Sequence, residues 1–159
     1  MKNRKILDGF GLATTERSLP MALLRAREKV MARFRPLLMR YDVTEQQWRV
    51  LRLIHEAGEL DASQISEKAV ILAPSLSRII RTLEAKGFVA VNKDPADGRR
   101  ALVGMTDAGH AFVAEIAPQS AQIYDLIATR VGSERINMIL DEVDALVAAL
   151  SGDRDQKTE

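Results

Sequence analysis

Arg78 and Arg81 stand three residues apart in a segment that also offers Pro74, Ser75, Ser77 and Thr82, and further along Arg99 and Arg100 follow Asp97 and Gly98. A guanidinium presents a planar fork of donors that matches phosphates and base edges, hydroxyls add contacts, and small residues permit close approach. That chemistry is recognition of a polyanion; a merely solvated surface is the plainer alternative. Other reactive side chains offer less. His55 and His110 are the only histidines, stand far apart in sequence and belong to no metal or nucleophile motif. With no cysteine there is no disulfide, thiolate nucleophile or Cys-ligated metal. Gly9, Gly11 and Gly58 are isolated from any strand-to-helix turn that would cradle a phosphate. No catalytic residue, metal or cofactor is expected, and the chain is not read as an enzyme.

The elements that must position these arginines follow from periodicity and caps. Residues 1–17 are weakly periodic and are expected to form an arm. Ser18 followed by Pro20 starts a helix in which Leu23, Val30, Phe34, Leu37, Leu38 and Tyr41 recur at helical spacing to about Arg40, with Pro36 expected to bend it. Thr44 to Gln47 has the pattern of a capping box and opens a second helix that Gly58 ends; Val50, Leu51, Ile54 and Ala57 mark its apolar face. Asp61 to Gln64 repeats the cap for a short third helix through about Lys68. A fourth starts at Ala73-Pro74-Ser75 and stops at Gly87. The runs 88–93 and 101–105 are short and β-like, and Asp94-Pro-Ala-Asp-Gly-Arg99 between them holds turn residues, which predicts a hairpin. Thr106 opens another helix, interrupted or kinked at Pro118, and Ser133 is expected to cap the last. There Ile136, Ile139, Leu140, Val143, Leu146, Val147 and Leu150 form a stripe that requires a partner helix. Residues 151–159 are polar and expected to fray.

Three short helices and a hairpin between longer helical ends is the order of a winged helix-turn-helix, in a fold that is mainly α with a small β-hairpin. Its helix before the hairpin enters the DNA major groove and the hairpin reaches the neighbouring groove or backbone. Rotating the fourth helix by 100° per residue puts Leu76, Ile79, Ile80 and Leu83 on one side, and Pro74, Ser77, Arg78, Arg81, Thr82 and Ala85 on the other. At the hairpin tip, Asp97 is placed to accept hydrogen bonds from Arg99 and fix its aim toward a narrow, electronegative groove.

Across its 159 residues the chain balances 23 basic against 22 acidic side chains, with 47% apolar residues, which suits one or one and a half compact domains. The balance hides a gradient: the net charge is +6 over residues 1–42, +1 over 43–105 and −6 over 106–159. A polyanion would be approached by the first two-thirds and not by the tail. No apolar run nears the roughly 20 residues of a membrane helix, and the first residues lack a signal peptide's apolar core, so a cytoplasmic protein with no membrane partner is expected.

Asp97, Arg99, Val103, Thr106 and Gly109 reproduce the D-x-R-x-x-x-V-x-L-T-x-x-G wing signature of MarR-type regulators, with Met105 where Leu is usual. The resemblance covers roughly residues 20–150. The runs Leu23-Leu-Arg-Ala-Arg-Glu28, Phe34-Arg-Pro36, Thr44-Glu-Gln-Gln-Trp-Arg49 and Ile71-Leu-Ala-Pro-Ser-Leu76 are most similar to the homoprotocatechuate-degradation repressor (HpaR-like) subgroup. The resemblance implies a homodimer on double-stranded DNA with a pseudo-palindromic operator, residues 18–42 and 106–150 supplying dimerisation helices around a DNA-binding domain at 43–105. It implies a repressor of an aromatic-acid catabolic operon released by a small aromatic carboxylate or phenol. The competing reading is a winged-helix protein-interaction module without DNA binding.

One residue breaks the first helix's pattern. With Leu23 at zero, Arg27 falls near 40° and inside the apolar stripe. A guanidinium there needs a partner. It pairs with a carboxylate, for instance from the acidic last helices, or snorkels at a dimer edge, or receives the carboxylate of an aromatic acid, as the resemblance suggests. Trp48 lies off the main apolar face of its helix, near Arg52 and His55, and offers a flat surface for a ring where it does not simply pack. Arg49 and His55 complete the candidate effector set.

Overall fold

The computed structural model describes residues 18–152; the expected arm at 1–17 and the tail beyond Gly152 lie outside the described residues. The order is α1 (Leu19–Arg40), α2 (Glu45–Ala57), β1 (Glu59–Asp61), α3 (Ala62–Ala69), α4 (Ala73–Ala85), β2 (Val89–Lys93), β3 (Ala101–Met105), α5 (Asp107–Val131) and α6 (Ser133–Ser151). Residues up to 116 belong to one compact unit and residues from 117 to a second.

Local rules account for most boundaries in the first unit. The Ser18 hydroxyl accepts from the Met21 amide, and Pro20 sits in the first turn of α1, where a missing N–H costs little. Thr44 and Gln47 close a reciprocal capping box at 3.2 and 3.1 Å, and Asp61 and Gln64 do the same at 2.8 and 3.0 Å. α2 ends on Gly58, whose φ of 89° suits a residue without Cβ. Ala57, beside that turn, is exposed and not part of the helix's buried face.

The sheet differs from the expected hairpin by one strand. β1 pairs antiparallel with β3 (Leu60 opposite Val103), giving the order β1-β3-β2. Three residues are too few to show alternation, and Asp61 doubles as the end of the strand and the cap of α3. Leu60 and Val103 are buried between the sheet and the helices. With Val50, Leu51, Ile54, Ile65, Leu76 and Leu83 they form the core, and each such side chain stabilises the fold by about 1.5–3 kcal/mol. Trp48 and Phe88 pack at its edge.

A staple joins the hairpin to α5. Thr106 donates its backbone N–H to the Phe88 carbonyl at 3.1 Å and its hydroxyl to the Gly87 carbonyl at 2.6 Å, and its Oγ1 accepts from the Gly109 amide at 3.0 Å. The Phe88 ring stacks on Phe112 at 4.2 Å. Gly109 is required because a Cβ there would lie 2.1 Å from the Phe88 carbonyl oxygen. Thr106 and Gly109 of the wing signature are therefore packing residues.

α5 is not interrupted: it stays helical through Pro118. Ser133 is the first residue of α6 and not its cap; the cap position is Gly132, at φ 93°, without a side-chain hydrogen bond. No residue of α6 is buried. Ile136, Val143 and Leu146 are half-buried, while Ile139, Leu140, Val147 and Leu150 are each more than half exposed. No described helix is long and apolar enough to cross a membrane.

Candidate nucleic-acid interface

α4 divides along its length as the 100° rotation predicts. Leu76, Ile79, Ile80 and Leu83 are buried, and Pro74, Ser75, Ser77, Arg78, Arg81, Thr82 and Ala85 are exposed. The hydroxyls are turned inward as donors: Ser77 to the Ala73 carbonyl at 3.2 Å and Thr82 to the Arg78 carbonyl at 3.0 Å. Their oxygens remain available to accept. Arg81 Nε donates to the Ser77 carbonyl at 3.2 Å, which lays that side chain along the helix. Arg78 has no ion-pair partner among the described residues.

The β2–β3 connection is shaped by two aspartates through the backbone. Asp94 Oδ1 accepts from the Ala96 amide at 2.9 Å and Asp97 Oδ1 from the Arg99 amide at 3.0 Å. Asp97 thus accepts from Arg99, as expected, and does so at the backbone amide, leaving the Arg99 side chain exposed. Arg100 is different. Its guanidinium donates to Oδ2 of Asp61, whose Oδ1 caps α3, so the wing is tied to the helix-turn-helix at one carboxylate. Hydrogen bonds from the Gln64 amide and then Arg100 hold the Asp61 carboxyl below its ordinary range, and Asp61 raises Arg100. Arg100 therefore positions the wing, and Asp61 is a residue that sequence reasoning found only as a cap.

The family model that matches is the MarR family, over residues 43–101, which takes in α2, the helix-turn-helix and the hairpin up to β3. The transcriptional regulator FarR of Neisseria gonorrhoeae is 37% identical over 78% of this chain and 85% of its own length. The homoprotocatechuate degradative operon repressor of Escherichia coli is 33% identical over 82% of this chain and 88% of its own.

The chain belongs to the MarR family.

Among solved structures, NadR in complex with 4-hydroxyphenylacetate superposes with a TM-score of 0.76 at 35% identity, over 85% of this chain and 96% of that one. MarR regulators bind DNA as dimers, and the structural neighbours of this chain are MarR winged-helix regulators.

The candidate effector residues of this MarR chain each have other partners. Arg27 donates to Glu45 Oε2 at 2.7 Å and to Glu28 Oε1 at 3.3 Å, and Arg35 donates from Nε to Glu45 Oε1 at 2.5 Å and from Nη2 to Glu28 Oε2 at 2.8 Å. The partner of Arg27 is thus in the first turn of α2 and not the last helices. Its side chain is 44% exposed, so the apolar stripe does not enclose it. Partial burial pushes the Glu45 carboxyl up, but the hydrogen bonds from Arg27 and Arg35 outweigh it and hold the carboxyl below its ordinary range. Arg49 donates to the Ala69 carbonyl at 2.7 Å, closing the end of α3 against α2. Trp48 packs half-buried on the core. His55 meets His110. From Glu45 to His55 is about 15 Å along a helix, further than one small aromatic acid reaches. The four residues do not form one site. The pairings of Glu45, Arg35 and His110 were not foreseen because the residues they meet lie 7 to 55 positions away.

Proposed function

We propose that this MarR-family chain is a dimeric repressor that binds a pseudo-palindromic operator controlling an aromatic-acid catabolic operon, and that a small aromatic effector releases it. The observation that carries the DNA reading is the exposed face of α4, with Arg78, Arg81, Ser77 and Thr82 over a buried opposite face, beside a wing bearing Arg99. Pro74 and Ser75 open that helix at the end that meets base edges, and Asp97 holds the wing turn. Two copies about 34–36 Å apart would place recognition helices in successive major grooves. The exposed stripe of Ile139, Leu140, Val147 and Leu150 with Ile136, Val143 and Leu146 supports α6 as part of the dimer contact. No catalytic role is assigned to any residue.

For the effector, the similarity to a homoprotocatechuate operon repressor and to a regulator solved with 4-hydroxyphenylacetate supports an aromatic carboxylate or phenol. Of the four candidates, Arg27 keeps the strongest case, with Trp48 nearby on α2. An aromatic carboxylate presents the group that Glu45 presents, so its binding would exchange one carboxylate for another at Arg27 and leave Arg35 alone to hold the first turn of α2 to α1. Differential affinity of about 1–3 kcal/mol between the two conformations gives roughly 5–150-fold induction.

The test is a shift assay on the chain's own upstream DNA, with and without a panel of hydroxyphenylacetates and hydroxycinnamates. Arg78→Ala and Arg99→Ala proteins that remain folded and dimeric should bind operator more weakly, and each lost phosphate contact should flatten the log–log salt dependence by about 1. Unchanged operator binding by both would remove α4 and the wing as the interface, and no salt-dependent operator binding by the parent protein would favour the protein-interaction module. Release by none of the compounds would remove the effector class.

A further inference from the structure

The chain's two histidines are used by neither the recognition helix nor the wing, yet they meet. His55 lies in the last turn of α2 and His110 in the first turn of α5, 55 residues apart in sequence and within the same compact unit. Their Nδ1 atoms are 3.0 Å apart, their ring centroids are 5.1 Å apart and their planes are inclined by 58°. Both side chains are exposed. Two neutral imidazoles can share one N–H···N hydrogen bond at this separation, one ring donating and the other accepting.

The same separation suits a shared ion. Imidazole nitrogens bind first-row metals at about 2.0–2.1 Å, so nitrogens 3.0 Å apart subtend about 94° at a common ion. A tetrahedral site would separate them by about 3.3 Å. An angle near 90° is the cis angle of square-planar and octahedral ions, the geometries of copper and nickel with nitrogen ligands.

We propose that His55 and His110 form a two-imidazole chelate for a divalent copper or nickel ion, bridging the last turn of α2 to the first turn of α5. Each Nδ1 gives its lone pair to the ion. The ring that carried Nδ1–H releases that proton and takes one at Nε2, a change of tautomer with no net charge transferred. No third His, Asp or Glu joins the pair in a metal-holding group among the described residues, so water completes the coordination. Because α2 carries Val50, Leu51 and Ile54 into the core, the bridge braces the helix that supports the helix-turn-helix.

The experiment titrates untagged, full-length protein with cupric, nickel and zinc salts by calorimetry, and records the nitrogen couplings of the copper form by electron paramagnetic resonance. One ion per chain, copper tightest, with two coupled nitrogens and a raised melting temperature, is the expected result. His55→Gln and His110→Gln should each weaken binding by about 10–100-fold and abolish the metal-dependent rise in melting temperature. Both positions are exposed, and circular dichroism verifies the fold of each variant; if one fails to fold, the other decides. Absence of saturable binding, a single coupled nitrogen, zinc bound more tightly than copper, or affinity unchanged by the substitutions would each overturn the proposal.

Discussion

Replacing Gly109 by alanine tests the staple between the wing and α5, because two effects of opposite sign compete at that position. In a helix, Gly→Ala by itself stabilises by about 1 kcal/mol. Here the new Cβ would stand 2.1 Å from the Phe88 carbonyl oxygen and 3.0 Å from its carbon. A carbon–oxygen contact settles at about 3.3 Å, so the wall must retreat by about 1.2 Å. That wall is backbone. The Phe88 carbonyl accepts from Thr106, its ring is stacked on Phe112, and Val89 immediately enters β2, so retreat pulls on the hairpin, the staple and the core together. Overpacking of this kind costs about 1–3 kcal/mol, with a backbone clash at the upper end, and a net destabilisation of about 1–2 kcal/mol remains. Thermal and urea unfolding at fixed protein concentration should show a melting temperature lower by roughly 3–10 °C with the urea slope unchanged. Operator affinity should fall as well, since the wing is displaced. A Gly109→Ala protein as stable as the parent or more so would refute the reasoning, because propensity alone would then describe the site.

Two further outcomes follow from the geometry. Glu45 is held below its ordinary range by Arg27 and Arg35, so its stabilisation is complete above the usual glutamate range and is lost as pH falls through the lowered value. Glu45→Gln should therefore cost about 0.5 kcal/mol near neutrality, discounted for the half-exposed arginines, and nothing in acid; urea denaturation across pH checks this, and a pH-independent difference contradicts it. Val70 closes α3 in the left-handed region (φ 54°, ψ 54°) while 82% exposed. A β-branched residue pays about 1–2 kcal/mol there and glycine returns about 0.5–1 through the unfolded chain, so Val70→Gly should raise stability by about 0.5–1 kcal/mol; a lower melting temperature would show that Val70 makes contacts that matter.

The helices, the caps of α2 and α3 and the two faces of α4 were legible because each rests on rules that reach no further than four residues. Thr44 with Gln47, Asp61 with Gln64, and the split between Leu76, Ile79, Ile80 and Leu83 and their exposed neighbours are of this kind. The wing signature was equally legible as a pattern, but its parts play different roles once folded. Arg99 remains exposed, Arg100 turns back to Asp61, and Thr106 and Gly109 hold the hairpin to α5. β1 escaped notice because a strand of three residues exists only through its pairing with β3.

The sequence by itself determined a basic, hydroxyl-bearing helix followed by an arginine-tipped hairpin, and so a DNA-binding module. Which of its polar residues are left to face DNA was decided by the tertiary structure. Arg27 reaches Glu45 across 18 residues, Arg49 reaches Ala69 across 20, Arg100 reaches Asp61 across 39 and His55 reaches His110 across 55. Charge and hydrogen-bonding capacity are written in residue types, but a partner is chosen by the path of the chain. Only once the core had brought α2, the sheet and the start of α5 together did each of these groups acquire its partner.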